Sequence, residues 1–212
     1  MPQEKISKSV LKRLPAYLSY LKGMPEDGTP YISATALAAA LNMGEVQVRK
    51  DLAMVSDGGR PKIGYNREAL IRDLEEFLGY NNTNDAILVG AGKLGRALLG
   101  YVGFAEYGLN IVAAFDTSEA LANTTESGKP ILPMDQLPRV CSHQQILMGI
   151  ITVPAPCAQT VADLMIDNGI KAIWNFAPTH LDVPEGILVQ YEDMATSFAV
   201  LSKHLSSQIN GF

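Results

Sequence analysis

Apolar positions recur at helical spacing over residues 6–22, as Val10, Leu11, Leu14, Ala16, Tyr17, Leu18 and Leu21. Pro15 falls inside this run, where it either kinks the helix or marks a helix start. Pro25, Gly28 and Pro30 then predict a loop. Ser33 is placed to cap a short helix rich in alanine and leucine over residues 34–41. Asn42-Met43-Gly44 is turn chemistry, with Asn42 or Gly44 able to take a positive φ. A second helix follows over residues 45–55, and residues 56–62, S-D-G-G-R-P-K, form a flexible, basic, hairpin-like loop. One more amphipathic helix spans residues 66–78, and residues 79–84 read as a linker.

Beyond the linker the pattern changes to strands alternating with helices. Residues 85–89 form an apolar strand, and a helix is expected over 96–102. A second strand runs from 110 to 115 and ends in Asp116. Residues 146–154 are almost wholly apolar, as in a central parallel strand buried on both faces. A helix over 157–168 with Gly169 at its end, strands over 170–176 and 187–191, and a last helix over 194–209 complete the pattern. Such alternation predicts a doubly wound α/β sheet, with Trp174 packed in its core. The boundaries expected are residues 1–80 for the helical domain, 85–192 for the α/β domain and 193–212 for the terminal helix.

Composition narrows the classes. The 212 residues are 47% hydrophobic and 18% charged, enough apolar content for a sizeable core and against disorder. A net charge of −5 excludes a uniformly polycationic protein. The charge is nevertheless uneven. Residues 1–65 carry nine Lys/Arg and six Asp/Glu, whereas residues 66–212 carry eight and sixteen. A mildly basic segment on an acidic remainder suggests an anion-binding module, although chance variation gives the same imbalance. Cys141 and Cys157 cannot build a disulfide framework, and with His143, His180 and His204 they make no zinc-ligand spacing. Neither a signal peptide nor a membrane span is evident, so a cytoplasmic setting is expected.

Two short helices joined by a tight turn are the helix-turn-helix arrangement, whose second helix enters the major groove of DNA. Here its polar face would offer Gln47 and Arg49 to base edges and Lys50 to phosphate. Val46, Val48 and Leu52 supply apolar positions, at least one valine facing inward. Ser33 joins the candidate DNA contacts at the first helix, and Arg60 and Lys62 join them as the wing of a winged helix. The plain alternative is a helical hairpin with a solvated charged face.

The second domain is more specific. Gly90-Ala91-Gly92-Lys93-Leu94-Gly95 is a GxGxxG sequence in the place it requires, after a strand and opening a helix. The first glycine permits the tight turn, the second lets backbone approach a pyrophosphate, and the third allows close helix–strand packing. Asp116 lies 26 positions after Gly90, near the spacing of a carboxylate that binds ribose hydroxyls and repels a 2′-phosphate. No Arg or Lys follows it over residues 117–125, so NADH/NAD+ is favoured over the phosphorylated cofactor. Ligands of doubly wound sheets sit beyond the carboxyl ends of the strands, so the loops at Thr152 and Asn175 should flank the nicotinamide. The terminal helix carries Met194, Phe198, Leu201, Leu205 and Gln208/Ile209 in a narrow stripe, either a partner-facing seam or packing on its own sheet.

Taken together, Arg13-Leu14-Pro15 with Tyr17, Val48-Arg49-Lys50-Asp51-Leu52, Gly64-Tyr65-Asn66, the glycine loop, Ala113 and Phe115-Asp116, Thr152-Val153-Pro154-Ala155 with Ala158-Gln159, and Gly169-Ile170-Lys171 with Asn175-Phe176-Ala177-Pro178 resemble the Rex family of bacterial redox-sensing repressors. The resemblance spans residues 5–205. It implies a winged-helix domain, a Rossmann domain and a C-terminal helix swapped within a homodimer. It also implies repression of respiratory and fermentative genes by operator binding, relieved when NADH occupies the Rossmann site. By the same resemblance the glycine loop and Asp116 hold the adenosine diphosphate half. Tyr101, Thr152, Val153, Pro154, Asn175, Phe176, Ala177 and Pro178 lie near the nicotinamide, and Asp193 leads into the swapped helix as a switch residue. The chain departs from the family in two places. Ala53-Met54-Val55-Ser56 and the acidic Asp57 replace the usual Ser-Tyr-Phe-Gly continuation, and Ser19 stands where many members carry an arginine able to pair with the Asp193 position. The competing readings are an NAD-dependent oxidoreductase or CoA-binding ligase subunit, and a DNA-binding protein whose Rossmann domain is only a scaffold. Against an enzyme, the chain leaves no room for a substrate domain, and His180 reads as a loop residue.

Overall fold

A computed structural model describes residues 6–25, 28–81 and 84–210, and for Met194 and Asn210 the backbone alone. Lys5, the linker positions Asn82 and Thr83, and the Met194 side chain of the terminal stripe lie outside that description. The chain divides into two units, residues 1–82 and 83–212.

The first unit begins with α1 (Lys8–Gly23), capped by the Ser7 side chain. Pro15 lies inside this helix rather than at its start. The hydrogen bond it removes is the one the Leu11 carbonyl would accept in a regular helix. Next come β1 (Tyr31–Ile32), α2 (Ala34–Ala40) and α3 (Glu45–Val55). Ser33 Oγ accepts from Ala36 N at 3.0 Å, as its capping position predicts. At the turn it is Asn42 that takes the positive φ, at 51°, while Gly44 serves as the extended N-cap of α3. β2 (Tyr65–Asn66) pairs antiparallel with β1 and leads into α4 (Arg67–Leu78). The sequence placed Asn66 within that helix. It is instead the N-cap, its Oδ1 accepting from Ala69 N at 3.0 Å. Arg67 reaches back to the end of α1, donating to the carbonyls of Leu21, Met24 and Pro25 and so satisfying groups a helix terminus leaves open.

A buried charge binds α3 to α1. Asp51 is only 3% exposed. Its carboxylate accepts from Arg13 Nε and Nη2 at 2.8 and 2.9 Å and from the Tyr17 hydroxyl at 2.7 Å. Burial alone would raise its pKa, but the bonds from Arg13 and Tyr17 hold it below the usual carboxylate range. The Tyr17 phenol is pushed up to about 12, by burial first and by Asp51 second. Around this pair Leu14, Leu18, Leu21, Leu37, Val48, Leu52, Leu70 and Leu74 close a continuous core.

The second unit is a seven-stranded sheet in the order β5-β6-β4-β3-β7-β8-β9. Its strands are β3 (Asn84–Val89), β4 (Leu109–Asp116), β5 (Thr124–Glu126), β6 (Lys129–Pro133), β7 (Met148–Ile151), β8 (Ala172–Asn175) and β9 (Leu188–Tyr191). All pair in parallel except β5, an antiparallel edge. From β3 the chain builds outward through β4 to β6, then returns to build through β7, β8 and β9 on the other side. The order therefore reverses between β3 and β7, the doubly wound arrangement. The helices are α5 (Lys93–Leu99), α6 (Leu137–Gln144), α7 (Ala155–Asp167) and α8 (Met194–Asn210).

Two expectations need correction, and two features had not been anticipated. The helix after the glycine loop starts at Lys93 and ends at Leu99, with a separate 3-10 turn over Val102–Tyr107, because Gly100 interrupts it. The β5–β6 hairpin and α6 gave no legible pattern, being short and broken by Gly128, Pro130, Pro133 and Pro138. Trp174 is half-buried rather than core, and its Nε1 donates to Glu192 Oε1 at 3.0 Å. An indole needs a partner for its N–H, and the sheet margin supplies one.

Asp51→Ala should destabilise the helical unit by about 3–5 kcal/mol, since it strands the Arg13 guanidinium and the Tyr17 hydroxyl. Because the folded carboxylate has the lower pKa, its contribution is fully present above the unfolded value of about 3.9 and fades as pH falls through the folded value. Denaturation followed by helical circular dichroism should show the full wild-type advantage at pH 7 and a shrinking one below pH 4. An undiminished gap in acid would contradict this assignment.

Candidate nucleic-acid interface and nucleotide cleft

On α3, Val48 and Leu52 are fully buried, so the opposite face is left to Val46, Gln47, Arg49 and Lys50, all exposed. Val48, not Val46, is the inward valine. Arg49 pairs with Glu45 one turn earlier on the same face. The loop after α3 closes as a tight hairpin, with Arg60 N donating to Gly64 O at 2.9 Å and Gly64 N to Arg60 O at 2.9 Å. Arg60, Lys62 and Ile63 stand exposed at its tip. Tyr65 lies beneath this loop, so close that a methyl group on Gly59 would meet its ring at 2.8 Å. Burial raises the Tyr65 phenol pKa, and the nearby charge of Arg49 opposes the rise. Tyr65 thus joins the wing to α3. Ser33, expected among the DNA contacts, also caps α2 through its hydroxyl oxygen, which leaves its O–H able to donate.

In the sheet, register does the assembling. Val89 lies opposite both Phe115 and Ile151, and Ile151 opposite Asn175. The next residues, Gly90, Thr152 and Phe176, therefore leave the sheet beside Asp116, the last residue of β4, at its carboxyl edge. Gly90 has φ +104°, and a Cβ there would meet the Thr152 carbonyl at 2.9 Å. At Gly95 a Cβ would collide with the Gly90 carbonyl oxygen, whereas at Gly92 it would meet nothing. The first and third glycines serve internal packing, and the second faces open space. Thr152 Oγ1 donates to the carbonyls of Val89 and Gly90 at 3.1 and 2.7 Å. Asp116 accepts from Ala91 N at 2.6 Å and Ser118 N at 2.8 Å. A cleft of about 250 Å³ opens here, lined among others by Gly90, Gly92, Asp116, Thr152, Val153 and Pro154. Met134 and Cys157 also line it and were not anticipated, since neither belongs to a motif.

The loop after β8 is built by its own asparagine. Asn175 is 1% exposed, and its Oδ1 accepts from Ala177 N while Nδ2 donates to the carbonyls of Ala177 and Thr179. Its side chain thus shapes the loop that carries Phe176, Ala177 and Pro178. Gln159 holds the same loop through both the N–H and the carbonyl of Asp182, and the Tyr191 hydroxyl bonds Leu181. Phe176 packs on Trp174, Trp174 on Phe104 and Phe104 on Tyr101, with centroids 4.8, 5.7 and 4.9 Å apart. Tyr101 is thereby brought into line with Phe176 although 75 positions separate them. Lys93 and Leu94 open α5, Lys93 exposed. Asp193 precedes α8 and accepts from the Thr196 hydroxyl and from the N–H groups of Thr196 and Ala195, bonds that in that order hold its carboxyl below the usual range. It is the N-cap of the terminal helix, a role its Asp-x-x-Thr setting could have revealed.

A winged helix-turn-helix unit followed by a Rossmann-type unit is the build of a ligand-responsive transcription factor. Residues 5–53 match the family model of a putative DNA-binding protein N-terminus, and residues 81–179 match that of a CoA binding domain. A redox-sensing transcriptional repressor Rex from Bacteroides fragilis is 41% identical, over 95% of this chain and 92% of that protein. A counterpart from Treponema denticola is 39% identical over 93% and 94%. Among solved structures, RSP in complex with beta-NAD+ and operator DNA superimposes with a TM-score of 0.88 at 29% identity, covering 99% of both chains. RSP in complex with beta-NADH gives 0.87 at 30% identity and 97% coverage of each. The chain belongs to the Rex family of redox-sensing transcriptional repressors. The enzyme alternative falls with that assignment.

Gly95→Ala should cost about 1–3 kcal/mol or more, because α5 must move away from β3 and β7. Gly92→Ala should change stability by no more than about 0.5 kcal/mol. Trp174 is the sole tryptophan, so its fluorescence during urea unfolding reports on this unit alone. Equal losses in the two variants would contradict the division of roles among the glycines.

Proposed function

We propose that this protein represses transcription by binding operator DNA through α3 and its wing, and releases it when NADH fills the Rossmann cleft. The observation that carries this reading is one chain with two sites: an exposed Gln47/Arg49/Lys50 face on a helix-turn-helix, and a glycine-loop cleft with a carboxylate at its rim. Arg60 and Lys62 at the wing tip suit phosphate or the minor groove. In the cleft, residues 90–95 and Asp116 would hold the adenosine diphosphate half common to NADH and NAD+. Asp116 disfavours a 2′-phosphate by charge. Discrimination between the two redox forms then falls to the nicotinamide end, toward Tyr101, Thr152 and Phe176. The oxidised ring carries a positive charge that is costly to bury unpaired, so an apolar pocket favours NADH.

The setting proposed is cytoplasmic, and among the described residues no helix is long and apolar enough to cross a membrane. The working form is a homodimer, supported by α8. Phe198, Leu201, Leu205 and Ile209 are between 54% and 73% exposed on that helix, so this apolar stripe is not packed on its own sheet. A swapped helix would bury it against a second copy.

Calorimetric titration of NADH and NAD+, with and without operator DNA, tests the switch. Coupling is reciprocal, so operator DNA must weaken NADH binding by the factor by which NADH weakens DNA binding. Asp116→Ala should shift the NADH midpoint upward and leave DNA affinity without nucleotide unchanged. Operator affinity indifferent to saturating NADH, or NAD+ equally effective at equal concentration, would refute the proposal. Independently, removal of residues 194–212 should give monomers or insoluble protein in sedimentation. An intact truncated dimer would assign the interface elsewhere.

A further inference from the structure

The guanidinium of Arg13 is shared between a buried carboxylate and an exposed amide. Nε and Nη2 donate to Asp51. In the amide orientation that satisfies both partners, Gln47 Oε1 accepts from Arg13 Nη1 at 2.9 Å and from Nη2 at 3.3 Å. Asp51 is also held by Tyr17, so the guanidinium cannot turn away without abandoning a buried charge. One line of contacts therefore runs from the interior of the unit, through Arg13, to the exposed face of α3.

We propose that Arg13 is a positioning residue for base readout: it holds the Gln47 amide with its oxygen turned back onto the protein, leaving the NH2 group to face the DNA. This rests on the reading of α3 as the helix that enters the major groove. A glutamine with both ends free pairs bidentately with adenine, accepting from N6 and donating to N7. With Oε1 engaged by Arg13, Gln47 presents hydrogens alone. It then selects guanine, whose O6 and N7 both accept, or thymine O4, over adenine, whose N6 amino group would meet the amide's own hydrogens. Arg13 sets this preference without touching a base. The requirement also explains why the fork is an arginine: a lysine could neutralise Asp51, but it has no planar set of donors to serve both partners at once.

The experiment uses full-length protein and the duplex it enriches from a randomised pool, followed by a panel of duplexes altered one base pair at a time. Gln47→Ala should abolish discrimination at a single base pair of each half-site, a loss of about tenfold or more there, and leave the others intact. At that pair the wild type should favour guanine or thymine over adenine. Gln47→Glu, which keeps an acceptor for Arg13 but presents only lone pairs, should move the preference to cytosine and its N4 amine. Arg13→Lys should relax the discrimination against adenine at the same pair and spare the rest of the profile. The inference is overturned if Arg13→Lys weakens every position equally, as a merely structural role demands. It is also overturned if Gln47→Ala alters no position, or if the wild type prefers adenine at the Gln47 pair. A wild-type protein that enriches no sequence overturns the repressor reading itself, and this inference with it.

Discussion

The α/β unit depends on how closely α5 can approach the sheet. At Gly95 the helix meets the Gly90 carbonyl, and at Gly90 the loop meets Thr152, so any side chain at either point would wedge the layers apart. Thr152 adds hydrogen bonds to the same carbonyl and to that of Val89, tying the end of β7 to the end of β3. Because strand order reverses at this junction, the tie sits where a doubly wound sheet offers its crevice. Asp116 completes it by bonding the Ala91 N–H, which places a carboxylate against the loop that the Gly92 position leaves open. The cleft is thus shaped mainly by backbone and register, with few side chains needed to define it.

The helical unit solves a different problem. A helix as short as α3 has little apolar surface to fix its rotation, since of its residues Val48 and Leu52 are fully buried, with Asp51 between them, and Val55 is partly so. A buried carboxylate is unfavourable unless its partners are in place, so it penalises any rotation of α3 that separates it from Arg13 and Tyr17. Such a group adds modestly to stability yet contributes strongly to uniqueness. That suits a helix whose proposed role is to present one polar face to DNA in a single register.

The loop after β8 is organised by side chains rather than by the sheet. Asn175 folds its own loop, Gln159 and Tyr191 hold the far side of it, and the aromatic series from Tyr101 to Phe176 spans the sheet's flank. In the series at least one member is exposed, Tyr101 at 53%, so its packing is open to change at that end.

Local chemistry wrote much of this protein legibly. The Ser33 cap, the α3 boundaries, the GxGxxG loop and the terminal acid of β4 follow from nearest-neighbour constraints such as capping, φ sign and periodicity, which act within a few residues and so appear in the sequence. The resemblance of motifs carried the family and its expected roles. Long-range pairings were not legible in that way. Arg13 and Asp51 both stood in recognised motifs, but 38 positions separate them, and no periodicity announces that the fork of one meets the carboxylate of the other. Trp174 read as core because its strand is apolar, yet its place near the sheet's margin, beside Glu192, was decided by strand order. Likewise the short β5–β6 edge, interrupted by Gly128 and two prolines, takes its place because β4 offers hydrogen-bonding groups to a neighbour. The sequence by itself determined where the chain turns, caps and alternates. Which distant side chains meet was decided only when packing the apolar faces brought those elements together, because burial fixes polar groups in pairs that local propensity does not encode.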